Sequence, residues 1–262
     1  MSMIDPTARI EDGAVIGEGT SIGPYCVIGP DVVIGANCKL VAHVYVTAQT
    51  TIGDGCTIYP FVSLGTAPQS LAWRGELTKL QIGQGCTIRE QSTMSAGTVA
   101  GGGITRVGDD NLFMMATHIA HDCVVGNNVI MANNATLGGH VVIEDYVILG
   151  GLSAVHQFVR LGRGSMLGGM AGVAADVIPY GSVIGDRAHL AGLNLVGLKR
   201  RGAARDEIHG LRAAFAEMFE GEGNLQERAR RTGEKHAGNA LVKEVVDFVT
   251  AESARSFTTP PD

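Results

Sequence analysis

The chain has 262 residues and a formal net charge of −6 at pH 7; it holds 37 glycines, and only 5% of it is aromatic. That acidity argues against a nucleic-acid binder, and no run approaches the ~18 apolar residues of a membrane span. The opening MSMIDPTARI lacks the charged-then-apolar pattern of a signal peptide. Charge density changes near residue 186: residues 1–186 hold 8 basic and 15 acidic side chains, and residues 187–262 hold 12 and 11. A large domain followed by a small one is therefore expected, over 1–186 and 187–262.

From the start of the chain an aliphatic side chain recurs every six positions, from Ile4, Ile10 and Ile16 through to Leu64. The register is interrupted across 66–81 and resumes at Ile82, Ile88 and Met94. After a second interruption across 100–106 it runs from Val107 to Val173. In half of these hexads a glycine follows the aliphatic residue directly. Period six is not helical. It fits a β-solenoid in which each hexad is one short strand and a turn, with glycine taking a crowded or positive-φ corner. Three hexads make an 18-residue coil of a triangular prism, with coils stacked at about 4.8 Å.

All five cysteines, Cys26, Cys38, Cys56, Cys86 and Cys123, fall at the fifth place of their hexads, and none forms a CxxC pair. That makes them small buried residues, Cys123 alone having histidine neighbours. Beyond Pro179 the hexad pattern ends. ARDEIHGLRAAFAEMF puts Ile208, Leu211, Phe215, Met218 and Phe219 on one helical face, with Asp206 and Glu207 in its first turn. EGEGN breaks the helix, LVKEVVDFV gives another, and TTPPD reads as a frayed tail. These helices would cap the open end of the solenoid, whose strand edges otherwise invite aggregation.

Period 18 places His121, the pair Gly139 and His140, and the pair His156 and Gln157 along one edge of the prism, within about 10 Å. His118 lies half a hexad before His121, in the stretch THIAHDCVV. Three readings stand for this cluster. The histidines are solvated turn residues, or they hold a metal, or they form a polar groove in which one imidazole is a general base. In the third, Asp122 fixes the tautomer and the Gly139 amide, with no side chain to block it, donates to an oxyanion.

HIAHDC, NNATLGGH, AVHQF and NLVGLKRRG together resemble the UDP-N-acetylglucosamine O-acyltransferase family, over essentially the whole chain. The resemblance implies an all-β solenoid, a left-handed parallel β-helix of hexapeptide repeats, with a small C-terminal α domain. It implies a cytoplasmic homotrimer that moves a 3-hydroxyacyl chain from acyl carrier protein to the 3-position of UDP-N-acetylglucosamine, the first step of lipid A synthesis. No metal and no cofactor is implied, the acyl donor being the carrier-protein thioester. By the same resemblance His121 is the base, Asp122 its partner and Gly139 the oxyanion donor. His118, His140, His156 and Gln157 line the groove, Gln69 reaches in from the first interruption, and Asn194, Arg200 and Arg201 grip the nucleotide. Gly169 stands where the family measures acyl length.

The sequence departs from the family at four places. QSLAWRGE carries Ser70 and Ala72 where an acid and a lysine are usual, and SAGT carries Ser95 and Ala96 where histidine and arginine are usual. These changes raise an alternative acceptor, a 3-amino UDP-sugar giving an amide. An alternative of a different class is a zinc hydratase of the gamma-carbonic-anhydrase type, although its histidine spacing is five rather than three. Arg160 and Arg163 are candidates for docking the acidic carrier protein.

Overall fold

The computed structural model describes residues 3–261. Short strands, most of two residues, follow one another around a three-sided prism, giving faces of eleven, nine and eight strands among the described residues, parallel except for the last strand of the first face. The first face starts at Met3–Ile4, the second at Arg9–Ile10 and the third at Val15–Ile16, and the chain visits them in that order in each coil. Register confirms the 18-residue coil: His118 pairs with Thr136, Thr136 with Ala154, and Ala154 with Gly172.

From Ser21–Ile22 onward the two-residue strands bury their inward residue and not the other, because two residues per strand leave one side chain for each surface. Ile28, Ile58, Ile88, Ile119 and Leu137 are 0% exposed. Each such side chain contributes about 1.5–3 kcal/mol relative to exposure. All five cysteines are buried in the same column-forming interior. Except for Gly65, which has a positive φ, the glycines after the aliphatic residues answer to crowding rather than to φ. A Cβ on Gly23 would lie 1.8 Å from the Val41 carbonyl oxygen one coil up. The left-handed backbone falls two residues later, at corner residues such as Tyr25, His43 and Asp122. For non-glycine residues this costs roughly 1–2 kcal/mol each, offset by coil-to-coil bonds such as His140 N–H to the His121 carbonyl at 3.0 Å.

Both interruptions are loops extruded from the coil, the first slightly shorter than the sequence pattern suggests and the second beginning a few residues earlier. Strand Ser63–Thr66 precedes the first and Lys79–Ile82 follows it. The second lies between Thr93–Ser95 and Ile104–Val107. Pairing passes straight across both, Ser63 with Thr93 and Thr93 with His118, so the prism itself is unbroken.

Two expectations for the C-terminal part change. The break expected at 186 falls in the turn of a hairpin, Gly181–Ile184 antiparallel to His189–Leu193, which extends the first face. The helices begin only after it: α1 Leu195–Arg200, α2 Arg205–Phe219, α3 Leu225–Lys235 and α4 Ala240–Thr250. The stretch read as a frayed tail is fastened to the solenoid. Thr258 N–H donates to the Asp176 carbonyl and Leu190 N–H to that of Thr259, both within 2.9 Å. The backbone of that segment gains partners on the exposed end of the β-stack, which an isolated polar tail lacks.

Candidate active site

The corner between the second and third faces gathers the histidines. Asp122, His140 and Phe158 occupy the same slot in successive coils, each in the left-handed region, and His121 and Gly139 precede the first two. The Asp122 side chain is 0% exposed. Its Oδ2 accepts from His121 Nδ1–H at 2.8 Å and from the Thr98 hydroxyl at 2.6 Å, and its Oδ1 accepts from Thr98 N–H at 2.7 Å. The Asp122 amide donates to Thr105 Oγ1 at 2.8 Å. With Nδ1–H so committed, Nε2 of a neutral His121 carries the lone pair.

His140 stands edge-on to His121, with ring centroids 5.3 Å apart, and is stacked on Phe158 at 4.4 Å and 5°. Burial lowers the His140 pKa; Asp122 pulls it back up and His121 lowers it again. Burial likewise lowers that of His118, with His121 adding to the effect. His118 lies on the second face with Nδ1 2.8 Å from Thr93 Oγ1, which settles its orientation. A Cβ on Gly139 would lie 2.6–3.1 Å from three atoms of the His121 ring, so glycine is required there. The Gly139 carbonyl accepts from Phe158 N–H, while its own N–H donates to no protein acceptor among the described residues. An amide left free beside an imidazole is placed to donate to an oxyanion.

His156 and Gln157 are exposed on the same corner. Arg255, from the fastened tail, donates to His156 Nδ1 at 2.8 Å and to the Gln157 carbonyl at 3.0 Å. A cleft of about 550 Å³ opens beside them, bounded by Ala154, Gly172, Asp186 and Arg187. Gln69 is exposed on the first loop. That loop folds over the second face around a cleft of about 320 Å³ lined by Trp73, Glu76, Thr66 and Ala96. Ser95 and Ala96 are buried beneath it, whereas Ser70 and Ala72 lie in the loop.

The nucleotide-binding candidates lie elsewhere. Asn194, Arg200 and Arg201 border a cleft of about 660 Å³ with Tyr146, Met166 and Ser182. This is the corner between the third and first faces, a full face away from His121. The Arg201 guanidinium sits 5.5 Å from the Tyr146 ring centre and 5.9 Å from that of Tyr180. The Asn194 side chain caps α1, accepting from Gly197 N–H at 2.9 Å and donating to the Gly164 carbonyl at 3.0 Å. Gly169 is on the remaining corner, where an added Cβ would meet only the Gly151 carbonyl at 3.5 Å. Its lack of a side chain is therefore not a demand of this protomer's packing.

Arg160 and Arg163, the docking candidates, are already paired. Arg160 holds buried Asp176 at 2.7 Å, and Arg163 holds Asp145 at 3.1 Å and Glu244 at 3.7 Å. Cys123 is no nucleophile, since burial pushes its thiol up to about 12. His121, Asp122 and His140 have ligand atoms within 4.8 Å of one another. His118, half of the spacing that raised a metal, is not in that group. Sequence reasoning missed Thr98, Thr105, Phe158 and Arg255. Only Phe158 had a signal, lying 18 residues after His140.

A hexad prism with a His–Asp pair at one corner, an unpartnered backbone amide beside it and no reactive thiol defines a hexapeptide-repeat transferase. Residues 13–48 and 104–139 match the bacterial transferase hexapeptide model, and 176–258 match the second domain of UDP-N-acetylglucosamine O-acyltransferase. The acyl-[acyl-carrier-protein]--UDP-N-acetylglucosamine O-acyltransferase of Rhizobium etli is 51% identical over 98% of this chain and 94% of its own length. That of Paracoccus denitrificans is 54% identical over 173 residues, 66% of this chain and 65% of the relative. The solved UDP-N-acetylglucosamine acyltransferase from Campylobacter jejuni superimposes with a TM-score of 0.93 at 38% identity, covering 98% of this chain and all of that one. The chain belongs to the UDP-N-acetylglucosamine O-acyltransferase family, and its fold is the family's left-handed parallel β-helix.

Proposed function

We propose that this chain transfers an acyl group from the thioester of acyl carrier protein to the 3-hydroxyl of UDP-N-acetylglucosamine, the entry step of lipid A synthesis. The observation that carries the reading is the His121 Nδ1–Asp122 Oδ2 bond of 2.8 Å, with the carboxylate buried behind the ring. His121 Nε2 takes the proton of the sugar hydroxyl as its oxygen attacks the thioester carbonyl. Asp122 stabilises the imidazolium so formed. The carbonyl oxygen becomes an oxyanion, to which the Gly139 N–H donates. Collapse expels the carrier thiolate, which regains a proton from His121, leaving an ester and a free thiol. The thioester supplies the leaving group, so the reaction calls for no cofactor.

The catalytic pair, the arginines and Gly169 stand on three different corners of one protomer. A homotrimer, with prisms side by side, supports a site that draws His121 from one copy and Arg200 and Arg201 from its neighbour, where guanidinium groups suit a diphosphate. In this reading the trimer works in the cytoplasm. The zinc-hydratase and 3-amino-sugar alternatives gain no support from the relatives' names.

The test offers purified protein a 3-hydroxyacyl carrier protein and UDP-N-acetylglucosamine and follows the ester by mass spectrometry. Wild type is expected to form it, and His121→Ala to lose at least about 100-fold in kcat/KM with unchanged thermal unfolding. A folded wild type that forms no ester, or a His121→Ala variant of full activity, would sink the reading.

A further inference from the structure

Why the hexad register breaks a second time is answered at Asp122. The loop between Thr93–Ser95 and Ile104–Val107 turns back on itself, Gly103 N–H bonding the Thr98 carbonyl at 2.7 Å. That turn presents Thr98 to the next coil, where both of its donors meet the carboxylate of Asp122, one on each oxygen, at 2.7 and 2.6 Å. The Thr98 hydroxyl itself accepts from Gly101 N–H at 3.1 Å, which orients its proton toward Oδ2. Gly101 packs directly on the carboxyl group, for a Cβ there would lie 2.1–2.4 Å from its three terminal atoms. Thr105, at the far end of the loop, holds the Asp122 amide. At the equivalent slots one and two coils on stand His140 and Phe158, with no loop over them.

We propose that the second loop is a positioning clamp for the His121–Asp122 pair, and that Thr98 is its working residue, sharing the charge of Asp122 and fixing which oxygen faces His121. The proposal rests on the acyltransferase reading above. The titratable groups facing Asp122 are His121 and His140, with His118 on the strand before it; none of the ion pairs described gives Asp122 a lysine or arginine partner. The carboxylate is therefore balanced by neutral donors, which leave it able to respond to the charge on His121. Removing the hydroxyl leaves Oδ2 with His121 Nδ1 at 2.8 Å and the more distant His140 Nε2 at 3.6 Å. The imidazolium is then favoured more strongly in the resting enzyme, and the orientation of the pair is held by one backbone bond instead of two donors.

Three variants test this. Thr98→Val is expected to lower kcat roughly ten- to a hundredfold, the scale of one hydrogen bond to a charged group, with KM for the sugar within about twofold. The acid limb of its kcat/KM profile moves to higher pH, because a base whose protonated form is favoured must lose its proton later. Thr98→Ser, which keeps the hydroxyl, recovers activity to within about threefold and returns the limb. Gly101→Ala, at a backbone conformation alanine tolerates, displaces the carboxyl group and lowers kcat comparably, so a Thr98→Val protein that failed to fold would leave this route open. Placed on His121→Ala, Thr98→Val costs little more, since the residue acts through the pair.

An equal cost of Thr98→Val in both backgrounds would make Thr98 merely structural and overturn the clamp, as would an unmoved acid limb or a silent Gly101→Ala. A second readout separates this failure from failure of the functional reading. In the unliganded protein the proton on His121 Nδ1 is expected as a downfield NMR resonance, shifted or lost in Thr98→Val and kept in Thr98→Ser. A wild type that makes no ester yet shows this pattern would refute the reaction and keep the clamp; a resonance indifferent to Thr98 would refute the clamp alone.

Discussion

Asp122 and Asp176 both carry fully buried carboxylates, the first at a left-handed corner and the second beside the last coil, where Val177 bridges to Leu161, yet their partners differ in kind. Asp176 faces permanent charge: Arg160 Nε donates at 2.7 Å, Arg160 N–H at 2.8 Å and the Ser253 hydroxyl at 2.6 Å. The Arg160 guanidinium is itself stacked on Phe248 at 4.4 Å. These groups fasten the tail and α4 to the last coil. Asp122 faces neutral Thr98 donors and a histidine that can change charge. A buried carboxylate thus becomes structural or functional according to whether the cation beside it is fixed or titratable.

Asparagine substitution should split the two sites most widely. Asp122→Asn is expected to lower kcat/KM about 10³-fold, by removing the charge that stabilises the imidazolium and by disturbing its tautomer, while the melting temperature stays close to that of wild type. Steady-state kinetics beside calorimetry on the same preparation checks both halves. A variant that lost stability and kept activity would make the two aspartates alike. Asp176→Ala is expected to do the reverse. It leaves Arg160 partly buried with no carboxylate and frees the tail, costing about 3 kcal/mol in denaturant unfolding. Activity per folded molecule falls less than about tenfold, through the loss of Arg255 from His156.

Acid sharpens the contrast at lower cost. Burial lowers the pKa values of His118 and His140, so the folded chain resists protonating them while the unfolded chain takes up those protons near pH 6.5. The unfolded state then binds more protons, and stability, complete above about pH 6.5, falls as pH drops toward the folded-state values. Melting temperatures between pH 7.5 and 5.5 should fall less steeply in His118→Gln than in wild type. Asp176→Ala should leave the slope as it is, because the hydrogen bonds and ion pairs of that carboxylate include no histidine.

The prism was legible because each hexad repeats one local rule, an aliphatic residue inward and a small residue where coils crowd, and stacking at a fixed period turns that rule into coordinates. His121, Gly139, His140, His156 and Gln157 came out on one edge by arithmetic alone. Thr98 did not, since it lies where the register fails and the period says nothing about a loop's path. Arg255 was hidden for a related reason: its contact with His156 spans 99 residues and depends on a tail whose polar sequence gives no sign of docking. Helix α3 was also silent, because its buried residues are only Ala229 and Thr232, too little for an apolar stripe. The split of the arginines from the histidines follows from the three-cornered prism, which sequence adjacency cannot convey.

The smallest effect is expected at the residue that follows Asp122. Cys123, Val141 and Val159 fill the same inward place in successive coils, each 0% exposed. Cys123→Val therefore copies the next coils' packing into this one without touching the His–Asp pair. The added methyl group in a close-packed interior costs about 1 kcal/mol or less where the site can relax, and the valines already filling this slot at positions 129, 141 and 159 show that the coil accommodates one. Activity is expected to remain within about twofold, and iodoacetamide should leave the folded wild type active, because a buried thiol held up to about 12 offers almost no thiolate at neutral pH. A Cys123→Val protein that folded normally but lost activity by orders of magnitude would instead place the thiol in the chemistry. The division between a titratable carboxylate site and a fixed one would then have to be redrawn around sulfur.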